Sequence, residues 1–143
     1  MSIQNVEDGW IPICYFDSQP IHVEIFCAPG FRLETGHLAT ALGTEYVCHF
    51  ANINVLIERL ARGVRLSKDS FAPEDIGFAF KSGSIRFYGV FSDLSPRAFV
   101  LSHSVHKTWP KLRKADIKVM ARCKDKFDSW RQSQNSTRRN HIG

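Results

Sequence analysis

Apolar and polar positions along this chain change their period several times, and each change marks an element. Residues 10–16 form a β-favouring run, closed by the turn sequence Asp17-Ser18-Gln19-Pro20. Residues 21–26 alternate strictly, with Ile21, Val23 and Ile25 on one face and His22, Glu24 and Phe26 on the other. That pattern predicts a strand with one face on the core, ended by Ala28-Pro29-Gly30. Across 31–48, Leu33, His37, Leu38, Ala41 and Leu42 suit a helix that Gly43 would close. Over 50–62, Phe50, Ile53, Leu56, Ile57, Leu60 and Val64 recur at helical spacing while Asn54, Glu58 and Arg62 face away. Gly63 is a natural stop.

Residues 67–75 read as a polar connection containing Pro73. From 76 to 105 the chain reads as a meander of three strands, 76–81, 85–91 and 98–105, joined by Ser82-Gly83-Ser84 and by 92–97. Gly83 supplies the positive φ of a hairpin turn, and connections this short favour antiparallel neighbours. Thr108 suits a helix cap and Pro110 a first helical turn. Beyond them Leu112, Val119, Met120, Cys123, Phe127 and Trp130 make one apolar stripe, with Lys and Arg on the other faces. Residues 131–143 hold almost nothing apolar and read as a flexible basic tail after a single domain over 1–130.

Charge is divided by position. Residues 81–143 hold 14 Lys and Arg against 4 Asp and no Glu, a net of +10; residues 1–80 hold 5 basic and 10 acidic residues, a net of −5. Positive charge on folded elements attracts polyanions such as nucleic-acid phosphates, although a solvated helix face with a basic tail is the plainer alternative. The 43% hydrophobic and 12% aromatic content of these 143 residues suits a globular chain with a core of its own. The first 20 residues lack Lys and Arg and carry Glu7, Asp8 and Asp17, unlike a secretory leader, and no apolar run is long enough to span a membrane. A soluble, cytoplasmic protein is expected. Cys14, Cys27, Cys48 and Cys123 lack CxxC spacing and sit among apolar neighbours, which points to four buried thiols. No ligand spacing suggests a metal, and no GxGxxG or GxxxxGK sequence suggests a phosphate cradle, so no cofactor is expected.

The stretch 77–126, GFAFKSGSIRFYGVFSDLSPRAFVLSHSVHKTWPKLRKADIKVMARCKDK, resembles the phage-derived HigB-like branch of the RelE/ParE toxin superfamily. The matching pieces are SGSIRFYGVF with Arg86, FVLSHSVHKT with Lys107 and Thr108, and Asp116-Ile117 with its basic successors. The helix over 50–62 stands at the right distance upstream, so the resemblance covers roughly 50–127. The chain departs from the pattern in its longer N-terminal part and in Trp109-Pro110, and it has no clear counterpart of the C-terminal Tyr or His of some relatives. The resemblance and the order of elements imply an α+β fold: a curved antiparallel sheet of four or five strands with helices packed on one face. They imply a type II toxin, a metal-independent endoribonuclease that cuts mRNA on the ribosome and is neutralised by a cognate antitoxin protein. Two other readings use the same scaffold: a ParE-like toxin that poisons gyrase, and a non-catalytic nucleic-acid-binding module.

Cleavage by a ribose 2′-OH requires that hydroxyl activated, the phosphate charge stabilised and the 5′-oxygen protonated. Arg86, beside Phe87 in a strand, is the first candidate for the phosphate, and Lys107 at the end of the next strand is the second. His103 and His106 are three residues apart, so an extended strand sends them to opposite faces. His106, next to Lys107, is the preferred proton-transfer group. Tyr88 shares the face of Arg86 and suits base stacking or acid catalysis. Lys81, Arg97, Lys111, Arg113, Lys114 and Lys118 are candidates for RNA phosphate contacts. The bland alternatives are surface cations, a structural His and a half-buried strand Tyr.

Overall fold

The computed structural model describes residues 10–13, 22–109 and 111–142. In chain order the elements are β1 (Ile11–Ile13), β2 (Glu24–Cys27), α1 (Phe31–Leu42), α2 (Thr44–Ala61), β3 (Phe71–Glu74), β4 (Gly77–Ser82), β5 (Ile85–Phe91), β6 (Ala98–His106) and α3 (Lys114–Ile142). The strands form one sheet in the order β1-β2-β6-β5-β4-β3. The class is α+β, and the meander lies where the alternation and turns placed it.

Three features of the sheet differ from expectation. It has six strands, and it is mixed: β2 runs parallel to β6, because the helices and the whole meander intervene between them. Helices also cover both faces. Ile25, Phe80, Phe87, Phe99 and Leu101 pack with Ile53, Ile57 and Leu60 of α2. Their strand neighbours Phe26, Ala79, Tyr88, Val90 and Val100 pack with Met120, Cys123 and Phe127 of α3. Phe26 is therefore buried, its ring 5.0 Å from that of Phe127. A strand covered on both sides reads as a nearly continuous apolar run, as β5 and β6 do.

β3 is the strand that the polar connection concealed. Its Phe71 ring lies 4.8 Å from Phe78 and 4.6 Å from Phe80, which anchors it to the core. Its edge position tolerates Pro73. At the other side of β4, Gly77 lies so close to β5 and α3 that a Cβ there would collide with the Gly89 carbonyl and the Met120 sulfur.

Helix boundaries also shift. α2 begins at Thr44, directly after Gly43, and so recruits the buried Tyr46; Val64 falls beyond it and is exposed. α3 begins at Lys114, so Thr108 caps nothing, and Pro110 lies outside the described residues. The helix then continues to Ile142 through the residues that read as a tail. No Gly or Pro interrupts 111–142, and a helix already docked by its apolar stripe extends at the cost of one residue per added hydrogen bond. Cys27 and Cys123 are buried free thiols, pushed up by burial to about 11 and about 12, whereas Cys48 is exposed; Cys14 lies outside the described residues.

Candidate nucleic-acid interface

The chemistry-bearing side chains gather where β5, β6 and the start of α3 meet. Register between the strands slips by one residue, from Tyr88 opposite His103 to Gly89 opposite Leu101, which leaves Ser102 as the extra residue of a bulge. Beyond the slip, His103 stands on the same face as Tyr88, and the two rings stack at 4.9 Å. His103 Nε2 lies 2.9 Å from Asp116 Oδ1 at the first turn of α3. Arg113 Nε donates to the second carboxylate oxygen at 3.1 Å, and its guanidinium lies 3.8 Å from the centre of the Trp109 ring. Ser102 Oγ is 2.8 Å from His103 Nδ1 and 3.2 Å from the Tyr88 carbonyl.

Burial sets the protonation of this cluster. Burial lowers the His103 pKa below its ordinary 6.5, and hydrogen bonding to Asp116 only partly restores it. Burial opposes the charge on Asp116 too, but the hydrogen bonds from Arg113 and His103 outweigh it and hold the carboxyl below its ordinary 3.8. The assignment consistent with these shifts is a carboxylate that accepts from His103 Nε2–H, while the single Ser102 hydroxyl hydrogen is shared between two acceptors, the Tyr88 carbonyl and His103 Nδ1. Burial, followed by the charge of Asp116, pushes the Tyr88 phenol up to about 12; its hydroxyl is buried and finds no hydrogen-bond partner among the described residues. Tyr88 is 0% and His103 7% exposed and Asp116 is buried, so these three lie beneath the surface, with Arg113 at the rim, and clasp α3 to the sheet.

Around this cluster the predicted residues separate into groups. Lys81 and Arg86 are register partners on β4 and β5, half-buried, and share the face of Tyr88. Arg86 Nη1 donates to the carbonyls of Gly83 at 2.7 Å and Ile85 at 2.9 Å, so the guanidinium folds back onto its own hairpin. Lys107 follows β6 directly, and its backbone N–H bonds the Ser84 carbonyl at 2.6 Å, at the same end of the hairpin as Arg86. His106 pairs with Ile85, whose side chain belongs to the α1/α2 core, so His106 faces away from Arg86 and Tyr88. The histidine on their face is His103, because the bulge changes which residue opposes Tyr88. Arg97 is exposed at the opposite end of β5, 4.6 Å over the Phe91 ring.

Sequence reasoning undervalued His103, Asp116 and Arg113 as a group and passed over Ser102. The Arg113/Asp116 spacing at a helix start was a readable signal. The bulge that brings His103 to Asp116 was not. Along α3, Lys114, Lys118, Arg122 and Lys126 are all exposed at four-residue spacing, a cationic ridge roughly 18 Å long. Arg122 and Lys126 also line a cavity of about 460 Å³ that reaches Ser102, His103 and Arg113. Lys111 is exposed just before the helix.

The fold and this face define an α+β protein with cations concentrated on its last helix and its central hairpin. No family model, curated protein or solved structure matches the chain. Among the described residues no helix is long and apolar enough to cross a membrane.

Proposed function

We propose that the protein is a type II toxin of the RelE/HigB-like kind, a cytoplasmic, metal-independent endoribonuclease that cuts mRNA on the ribosome and is held in check by a cognate antitoxin protein. The observation that carries this reading is the cationic ridge of Lys114, Lys118, Arg122 and Lys126 beside a sheet face that holds Arg86, Tyr88 and His103 together. The ridge suits RNA phosphates, with Lys111 extending it. Arg86 and Lys107, at one end of the hairpin, suit the charge that builds on the phosphate undergoing attack. In that reaction the 2′-oxygen forms a bond to phosphorus, the 5′-oxygen leaves, and a proton passes from the first oxygen to the second. His103 and Tyr88 share the Arg86 face as candidate base and acid, and both are buried under the start of α3, so this role requires that contact to open.

The burial of Tyr88 and His103 favours a second reading, in which the same face binds RNA or ribosomes without cutting. Induction in cells followed by mapping of new RNA 5′-ends separates the two. The nuclease produces growth arrest with new ends, whereas the binder arrests growth without them. Arg86→Ala should lower cleavage on the order of 100-fold while circular dichroism stays unchanged. A folded Arg86→Ala variant that cuts normally would move the active site off this hairpin.

A further inference from the structure

The opposite face of the sheet carries a feature that the nuclease reading does not use. Between α1, α2 and the strands lies a cavity of about 610 Å³, within the size range of small-molecule sites. Phe31, Phe50, Ile57, Phe87 and Leu101 make its walls, and Arg32 is a cation among them. Arg32 is half-buried against the neutral Cys27 thiol, and among the described residues it makes no ion pair. Beyond Phe31 and Arg32, α1 lines the space with the small residues Thr35, Gly36 and Ala39. A Cβ added at Gly36 would meet nothing within 4 Å. Glycine weakens a helix interior relative to alanine, so its presence here costs the helix stability and leaves the cavity open.

We propose that this cavity binds a small amphipathic carboxylate, such as an acyl or aryl acid, with its hydrocarbon body among Phe31, Phe50, Phe87 and Leu101 and its carboxylate on Arg32. An apolar chamber bearing one cation without a counter-ion selects for that combination. Hydrocarbon suits the aromatic and aliphatic walls, where Thr35, Tyr46 and Asn54 are the uncharged polar residues, and the carboxylate supplies the bidentate partner a guanidinium prefers. The site lies across the sheet from Arg86 and His103, so its occupancy is independent of whether the protein cuts RNA.

The test is calorimetric titration of the full chain with dodecanoate below its micellar concentration. One molecule should bind saturably per chain. Dodecanol, which lacks the charge, should bind about tenfold more weakly, and Arg32→Gln should weaken dodecanoate by about the same factor. Gly36→Leu fills open space on a helix, so the variant should fold at least as well as the parent by circular dichroism and lose binding. The proposal is overturned by absence of saturable binding, by full binding to Gly36→Leu, or by equal affinity for acid and alcohol. Binding to phosphatidylglycerol vesicles without binding to free dodecanoate would assign the anion to a lipid headgroup and overturn it as well.

Discussion

On one face of the sheet, α1 and α2 meet Phe80, Phe87, Phe99 and Leu101 through hydrocarbon and aromatic contact. Among the described residues the polar side-chain links there are hydrogen bonds without a carboxylate–cation pair: His49 and Asn52 to Ser82, and Thr35 to Ser104. On the other face, α3 adds charged clasps to its apolar seam. Asp116 holds His103 and Arg113, Asp128 accepts from Ser92, and Arg131 reaches Glu24 beneath the Phe26 and Phe127 rings. The first attachment is governed by area removed from water, which is indifferent to pH and gains from salt. The second depends on which groups are ionised. A single sheet thus carries one helix layer held mainly by apolar packing and another whose apolar seam is reinforced by ionised groups.

Phe99→Ala probes the first layer at its densest point, where the ring meets Phe71, Phe80 and Phe91 at 5.5, 5.6 and 4.9 Å. It should cost about 3–5 kcal/mol in urea denaturation, the largest effect of the set. A loss below about 1 kcal/mol would mean that this face is far more plastic than its packing implies.

Asp116→Ala probes the second layer. It strands the buried His103 ring and releases Arg113, whose half-exposed side chain recovers water; a cost of about 2 kcal/mol is expected. Hydrogen exchange should then speed up in α3 and stay unchanged in α2. Equal loosening of both helices would show that the two faces are not separable.

Acid should act on the same contrast. Folding lowers the His103 pKa below 6.5, so the unfolded chain takes up that proton first and stability falls as pH drops below about 6.5. Asp116, held below its ordinary 3.8, adds a second loss below about pH 4. His103→Gln should remove the first loss and spare the second, read as the difference in urea midpoint between variant and parent across pH 5–7. Identical profiles would detach His103 from the stability of α3. The smallest effect belongs to Lys124→Ala. Its nearer partner Asp93 is 75% exposed and Asp128 lies at 3.6 Å, so the change should stay within about 1 kcal/mol.

Particular elements show why some of this was legible in the sequence. The meander could be read because Ser82-Gly83-Ser84 and Ser92 to Arg97 punctuate β-favouring runs, and local turn chemistry does not need the rest of the chain. The α2 stripe could be read because Ile53, Ile57 and Leu60 bury one continuous face. β3 was hidden because a four-residue edge strand takes its stability from Phe71 meeting Phe78 and Phe80, which lie in another element. The end of α3 was hidden because it has no apolar face to announce it. Of the candidate site, the shared face of Arg86 and Tyr88 followed from alternation. The partner histidine did not, because one bulge residue, Ser102, changes which side chain opposes Tyr88.

The sequence by itself determined the α+β class, the antiparallel meander, and the concentration of +10 in the last 63 residues, since each rests on local periodicity, turn residues or a count. Tertiary structure alone decided that β2 pairs in parallel with β6, that helices cover both faces, and that His103 rather than His106 joins Tyr88, Asp116 and Arg113. Those outcomes rest on contacts between residues distant in the chain. Strand register and helix placement are chosen by the total apolar area they bury together, a quantity that no local window contains.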